Sequence, residues 1–137
     1  MAESLLHMDL VRTIALYIKQ ITPDYSASLL DAELPEYGRT PQCLYGYYPD
    51  IRYRDNNSII IGEAKTQYDI DNDHTEAQLN AYIDELLTYN LQRHIIYCVP
   101  FVSYSQMKNY LRHIKEQREL TDIAFHVLDN FNRVSLL

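Results

Sequence analysis

Tryptophan is absent from the chain, glycine occurs three times, and cysteine occurs only twice, at Cys43 and Cys98. The two cysteines are far apart, so no spacing typical of a zinc or redox site is present. Cys98 lies in an apolar run, which predicts a buried thiol. No apolar run is long enough for a signal peptide or a membrane-spanning helix. We therefore expect a cytoplasmic protein with no membrane partner.

Positive charge is also scarce, since 12 Lys and Arg stand against 19 Asp and Glu, which gives a formal net charge of −7. Non-specific nucleic-acid binding depends on Lys and Arg contacts to phosphate, so this balance disfavours it. It does not exclude a protein whose carboxylates hold a cation, because the ion offsets their charge and a local basic patch can suffice. The 13 tyrosines are expected mainly at the rim of the core or at an interface.

The length of 137 residues predicts a single domain over residues 1–137, large enough to bury a core without disulfides or a structural metal. Hydrophobic periodicity and turn residues predict an α/β fold, in which a mixed sheet of an antiparallel hairpin plus parallel strands carries helices on both faces. The tail from residue 130 is expected to form a short strand or an oligomer contact. The predicted elements are a helix over 4–20, a strand over 25–34, a hairpin over 48–65, a helix over 75–90, a strand over 94–99, a helix over 103–119 and a strand over 123–128.

Capping residues and apolar stripes predict where these helices begin and which side of the first helix is buried. Ser4 is expected to cap the first helix, and Asp73 or Thr75 the helix that begins near residue 75. In the first helix the near-helical spacing of apolar residues predicts which side faces the core. That stripe consists of Leu6, Leu10, Ile14, Tyr17 and Ile21.

The most informative stretch is the hairpin, whose turn is predicted at Asp55-Asn56-Asn57. Successive side chains of a strand point to opposite faces, so Glu63 and Lys65 share one face while Gly62 and Ala64 share the other. The second face is small and apolar, so a helix is expected to lie close against it. Asp50 precedes the turn and falls near Glu63 if the hairpin pairs directly. Two carboxylates and an ammonium would then meet at one end of the sheet.

Such a group of side chains suits a divalent cation, because Mg²⁺ takes oxygen ligands and usually keeps several waters. The oxygens would come from Asp50, Glu63 and the backbone carbonyl of Ala64. Lys65 would orient or deprotonate the attacking water, or offset charge on a phosphate in the transition state.

Pro49-Asp50, a spacer of about a dozen residues and then Glu63-Ala64-Lys65 resemble the motif of the PD-(D/E)XK nuclease superfamily, which includes restriction endonucleases and Holliday junction resolvases. Gln78 with Tyr82 is similar to the Gln-x-x-x-Tyr extension of some branches. The resemblance implies a restriction-endonuclease-like fold and a Mg²⁺ site in which Mn²⁺ substitutes. It also implies that Asp50, Glu63, Lys65 and Gln78 carry catalysis.

In this family an acidic residue of the first helix often joins the metal site. Glu3 and Asp9 are the available carboxylates, and Asp9 is preferred because it lies inside the helix beside the apolar stripe. The alternative for either is a solvated helix charge. Gln78 would bind a water or a substrate phosphate, and the alternative is a glutamine on the helix surface.

The helix over 103–119 carries the chain's one basic cluster, formed by Lys108, Arg112 and Lys115. These residues, with Tyr82, are the candidate nucleic-acid contacts, and the alternative is an ordinary solvated face. The resulting prediction is a Mg²⁺-dependent endonuclease that acts on nucleic acid, with DNA as the expected substrate. The resemblance alone also suggests a homodimer. The alternative is a catalytically silent nuclease-fold module that binds protein or nucleic acid. An acidic DNA mimic is disfavoured because acidic and basic residues are interspersed.

Overall fold

A computed structural model describes residues 4–66, 70 and 72–137. Its six strands form a single sheet with the order β1-β2-β3-β4-β5-β6, so strands adjacent in the chain are also adjacent in space. The predicted α/β class and mixed sheet are confirmed. The elements are α1 (Leu5–Ile21), β1 (Leu30–Ala32), β2 (Ile51–Arg54), β3 (Ser58–Ala64), α2 (Asp73–Leu86), β4 (Gln92–Val99), α3 (Tyr104–Gln117), β5 (Ile123–Asp129) and β6 (Val134–Leu136), with short 3₁₀ turns at Ala27–Leu29 and Phe101–Ser103.

Strand directions follow the connections between the strands. Short links join β2 to β3 and β5 to β6, and both pairs are antiparallel, as is the β1–β2 pair. The pairs β3–β4 and β4–β5 are parallel, and each is connected through a helix, because parallel neighbours need a long crossover. The predicted combination of an antiparallel hairpin with parallel strands is therefore confirmed. The carboxyl ends of β3, β4 and β5 meet at one edge of the sheet, called here the carboxyl edge.

The sheet is covered on both faces. Helix α1 packs on one face, where its Ile14 lies over Gly62, and a Cβ on that glycine would sit only 2.8 Å from Ile14 Cγ2. The expected close approach of a helix to the small face of β3 is thus confirmed. Helices α2 and α3 pack on the other face, against a core that includes Ile61, Ile95 and Phe125. Side-chain alternation along β3 divides its isoleucines between the two layers.

Several boundaries and contacts differ from the sequence predictions. The first strand is limited to Leu30–Ala32, because a 3₁₀ turn occupies the residues before it. Ser4 does cap α1, accepting a hydrogen bond from the His7 amide at 3.0 Å, but α2 is capped by Asn72 rather than by Asp73 or Thr75. Among the described residues, no helix has the length and apolarity needed to cross a membrane.

The buried side of α1 is also rotated relative to the predicted stripe. Val11, Ala15 and Ile18 are buried, whereas Leu6 is exposed and Ile21 is only half-buried. The predicted stripe and the observed stripe both fit a period of 3.6 residues, so the docking of α1 on the sheet decides which of them is buried.

Candidate metal centre

Asp50 and Glu63 come together at the end of the β2–β3 hairpin. Ile51 pairs with Gly62, which places Asp50 beside Glu63 one step further along. The two carboxyl groups are buried and hydrogen-bonded to each other. Asp50 Oδ2 also accepts a hydrogen bond from the Ala64 amide at 2.8 Å. Antiparallel pairing therefore brings both predicted ligands to the carboxyl edge.

The first helix contributes His7 to the same place. Its Nε2 lies 3.2 Å from Asp50 Oδ2. One potential ligand atom from each of His7, Asp50 and Glu63 lies within 4.8 Å of the others. In the part of the chain that the structure describes, no other group of three His, Cys, Asp or Glu side chains is arranged in this way. We call these three residues, which are a candidate site for a cation, the metal centre.

The electrostatics of the metal centre are those of carboxyl groups held away from water. Burial and the neighbouring charge of Asp50 raise the pKa of Glu63 well above its usual value. Burial alone would raise the pKa of Asp50 as well, but hydrogen bonds with His7, Glu63 and the Ala64 amide hold it below its usual value. Glu63 therefore keeps a proton that it shares with the Asp50 carboxylate. A divalent cation would take the place of that proton, because it offers both carboxylates a positive charge.

Three polar side chains, those of Gln78, Tyr82 and Tyr97, come from α2 and β4, the elements next to Glu63. The Tyr82 hydroxyl donates to Glu63 Oε1 at 2.7 Å. Gln78 lies one turn earlier on the same side of α2, and its buried Oε1 accepts no hydrogen bond from any described residue. Tyr97 is paired with Glu63 across the β3–β4 ladder, and within the same described ranges its buried hydroxyl also has no partner. Such orphaned groups are rare in proteins unless a ligand or water satisfies them.

Lys65 completes the predicted set. It lies two residues beyond Glu63, so both side chains leave the chain on the same side, and the Lys65 side chain is buried. The ammonium is close enough to oppose partly the rise in the pKa of Glu63. The carbonyl of Ala64 stands between the two residues at the end of β3. Asp50, Glu63, Ala64 and Lys65 are thus gathered at one place.

Asp9 is not part of this group, so the sequence preference for it is wrong. Its side chain is 74% exposed and lies 3.6 Å from the Arg12 guanidinium. Residues two apart on a helix point in different directions, so the contact made by His7 takes Asp9 away from the sheet. Glu3, the alternative acid, lies outside the described residues. The sequence did not single out His7, because its spacing to other histidines carries no ligand pattern.

Tyr82 is fully buried with its hydroxyl engaged by Glu63, so the prediction that it contacts nucleic acid is wrong. Tyr97 was not predicted as a site residue, although its place in an apolar strand next to β3 is the signal that could have indicated it.

The basic face of α3 is only partly near the metal centre. Lys108 lies in the first half of the helix, next to the carboxyl edge, while Lys115 donates to the Leu137 carbonyl at 2.6 Å near the opposite edge. At 1.5 Å per residue, the two lysines are separated by about 10 Å along the helix. Arg112 lies between them and contacts Asn109. Lys108, Arg112 and Lys115 therefore extend away from the metal centre along α3, and their contact with nucleic acid stays a prediction.

Comparisons with known proteins give no further assignment: no family model, no curated protein and no solved structure matches this chain. The geometry of the site therefore provides the basis for a functional proposal.

Proposed function

We propose that the protein is a metal-dependent nuclease that hydrolyses phosphodiester bonds in nucleic acid, with DNA as the expected substrate. The observation that carries the proposal is the metal centre, in which a partly buried imidazole and two buried carboxyl groups converge within 4.8 Å. Buried carboxyl groups are costly unless they are paired or hold a metal. The resemblance to the PD-(D/E)XK superfamily, and with it the restriction-endonuclease-like arrangement of the sheet, belongs to the same proposal.

The chemistry of the donor set fits a divalent cation. Asp50 and Glu63 offer hard oxygen atoms, the Ala64 carbonyl offers another, and His7 adds a nitrogen. When bound, Mg²⁺ or Mn²⁺ would lower the pKa of a water molecule and offset negative charge on the phosphate. The orphaned Gln78 Oε1 supports a bound group beside Glu63, since a buried acceptor without a donor is otherwise unfavourable.

The chain's own residues have distinct roles in this proposal. Lys65 places its side-chain nitrogen next to Glu63, where the ammonium form can stabilise a phosphate oxygen and the neutral amine form can take a proton from a water molecule. Tyr82 fixes the orientation of the Glu63 carboxyl group through its 2.7 Å hydrogen bond. Gln78 can accept a hydrogen bond from a water molecule and hold it near the metal centre.

Cleavage of DNA in the presence of Mg²⁺ or Mn²⁺ tests the proposal directly. We expect wild-type protein to cut and Asp50→Asn, Glu63→Gln and Lys65→Met each to lose roughly a thousandfold or more in rate. Glu85→Gln is the matched control, because Glu85 is a partly buried acid of α2 that pairs with Arg52 and accepts a hydrogen bond from Tyr89. Equal activity in the wild type and all variants would refute the proposal. A panel of single-stranded, duplex, flapped and four-way DNA together with RNA identifies the preferred substrate.

A second candidate is a catalytically silent module with the same fold, which binds nucleic acid or protein. The net charge of −7 and the short basic face near the metal centre favour it. It predicts Mn²⁺ binding without cleavage of any nucleic acid in the panel, or no metal binding at all. The homodimer that the resemblance suggests is tested by light scattering of the purified protein.

A further inference from the structure

Three apolar side chains project into solvent from the loops that follow β4 and β5. Phe101 is 49% exposed, Val102 is 61% exposed and Phe131 is 68% exposed. The two phenyl rings lie 5.2 Å apart between centroids and are inclined at 43°. We call these three residues the aromatic tip. Clustered exposed apolar residues usually mark an interaction site, because leaving such groups in water gives no benefit to folding.

The aromatic tip lies at the carboxyl edge, beside the metal centre. Ala64 is level with Cys98 on β4, which is level with Leu128 on β5. Phe101 and Phe131 follow the ends of β4 and β5 by two residues each. Neighbouring strands are about 4.8 Å apart, so the tip is displaced from the end of β3 by about one to two strand spacings.

Hydrogen bonds hold the aromatic tip in place. The Asn130 side chain accepts from the Phe101 amide at 2.7 Å and so links the two loops. Asp129 Oδ1 accepts from the amides of Phe131 and Arg133 at 2.8 and 2.9 Å. These hydrogen bonds fix the backbone conformation of both loops, so less conformational entropy is lost when a ligand stacks on the exposed rings.

Two cations lie over the ring of Tyr104, which follows Phe101 by three residues. The guanidinium of Arg133 is 4.2 Å from the centroid of the Tyr104 ring, and the Lys108 ammonium is 5.4 Å from it. Arg133 also pairs with the buried Asp129 at 3.0 Å, which fixes its position. An aromatic surface next to two cations, on the same edge as the carboxylates, is complementary to a base and its phosphate.

We propose that the aromatic tip stacks on unpaired bases of a nucleic acid whose backbone passes Lys108 and Arg133 on its way to the metal centre. Bases of an intact duplex are stacked on one another and offer no free face, so the substrate class is single-stranded nucleic acid or a strand with an unpaired end. Base stacking on aromatic side chains tolerates any sequence, because every base has a π-face. This inference deepens the proposed function and depends on it for the path of the strand.

Binding without cleavage tests the inference independently of catalysis. Fluorescence anisotropy in EDTA would use a labelled 20-nucleotide single strand and the corresponding duplex. We expect wild-type protein to bind the single strand more tightly, and the double variant Phe101→Ala with Phe131→Ala to lose roughly 5- to 100-fold of that affinity. Binding to the duplex should stay unchanged. Leu87→Ala is the matched control, since Leu87 is also exposed and lies at the end of α2, at the opposite edge of the sheet from both loops. Circular dichroism and thermal melting check that each variant is folded.

Unchanged single-strand affinity in the double variant would overturn the inference, as would a wild type that does not bind single strands. A dimer that dissociates on the same double substitution, with no change in nucleic-acid binding, would instead assign the tip to contact with a second copy. Failure of the proposed function is a separate result. If no metal supports cleavage but the double variant loses single-strand binding, the tip inference stands; if cleavage occurs and its strand preference survives the substitutions, only the tip inference fails.

Discussion

Two polar clusters, both reached by α1 and both partly buried, differ in how completely their hydrogen bonds are formed. The metal centre receives His7 from the first turns of the helix. Near the other end of α1, the Tyr17 hydroxyl lies 2.8 Å from His126 Nδ1, and His126 Nε2 lies 2.9 Å from His94 Nδ1. We call Tyr17, His94 and His126 the histidine cluster.

The histidine cluster is electrically neutral and leaves no buried polar atom of its three side chains without a partner. Burial lowers the pKa of His126 to about 4, with the charges of His94 and Lys115 acting in the same direction, and burial also lowers the pKa of His94. The metal centre instead combines two carboxyl groups with the orphaned Gln78 Oε1 beside them. The complete and neutral hydrogen-bond network of the histidine cluster is typical of a group that stabilises the fold. The negative charge and the unpaired acceptor of the metal centre are typical of a ligand-binding site.

The largest expected difference between the clusters is in metal binding. We expect calorimetry to detect Mn²⁺ binding that is lost in Asp50→Asn and in Glu63→Gln but retained in His94→Asn. At a hundred times its dissociation constant, Mn²⁺ should stabilise the wild type by about 2.7 kcal/mol. Because His7 adds a nitrogen ligand, Mn²⁺ should bind at least about tenfold more tightly than Mg²⁺, and His7→Asn should reduce that preference. Metal binding that survives in Glu63→Gln would contradict the assignment of the metal centre.

Acid should weaken the fold through the histidine cluster. An unfolded histidine titrates near pH 6.5, whereas native His126 stays neutral down to about pH 4. Between these values the unfolded chain binds a proton that the native protein does not, so the free energy of unfolding falls as the pH falls, by about 3 kcal/mol in total. Urea unfolding from pH 7 to pH 4 should show a shallower pH slope in His126→Gln than in the wild type. His113→Gln, on the exposed side of α3, should keep the wild-type slope; identical slopes in all three proteins would rule out this role of His126.

Replacing Glu63 by glutamine should stabilise the protein while it abolishes metal binding. In metal-free buffer at pH 7, Glu63→Gln replaces a buried protonated carboxyl group by an amide that can also donate to Asp50. The carboxyl group is ionised in the unfolded chain, so keeping it protonated in the native protein costs free energy that an amide avoids, and we expect a gain of about 1 to 2 kcal/mol. Thermal melting in EDTA measures the change, and Glu85→Gln gives the reference. A clear loss of stability would mean that the carboxyl pair serves the fold rather than a ligand.

The smallest expected effects are those of removing a tyrosine hydroxyl from each cluster, since Tyr17 and Tyr82 each form a hydrogen bond in one of them. Tyr17→Phe removes the hydroxyl at His126 and should lower the free energy of unfolding by about 1 to 2 kcal/mol, with nuclease activity unchanged. Tyr82→Phe releases the Glu63 carboxyl group and should lower the rate of cleavage more than it lowers stability. Urea titration and a cleavage assay on the same samples make the comparison. If both variants changed activity equally, the difference between the clusters would not hold.

Much of the fold was predictable because it is encoded in local periodicity. The turn at residues 55–57, the alternation along Ser58–Ala64 and the long apolar run into Val99 each predict an element without knowledge of its neighbours. The short first strand was overestimated, since the apolar pair Leu29-Leu30 fits a 3₁₀ turn followed by a strand as well as it fits one strand.

The candidate site was predictable only where its residues share one hairpin. Asp50, Glu63 and Lys65 are held together by strand pairing, which the turn and the two-residue alternation specify. His7 and Tyr97 belong to other elements. The apolar run around Tyr97 indicates a strand but not its register against β3, and nothing in the sequence around His7 indicates that it reaches Asp50. Tyr82 was singled out by its spacing from Gln78, but its burial depends on how α2 packs on the sheet.

The sequence by itself determined the hairpin, the mixed α/β class and the pairing of a carboxylate before the turn with a carboxylate and an ammonium after it. Only the tertiary structure decided that His7 rather than Asp9 reaches those carboxylates, and that Phe101 and Phe131 stand at the same edge of the sheet. The reason is geometric: local sequence sets the period of an element, whereas its rotation and docking are set by contacts with distant segments. On a helix, a shift of two residues turns a side chain by about 200°, from the site into the solvent.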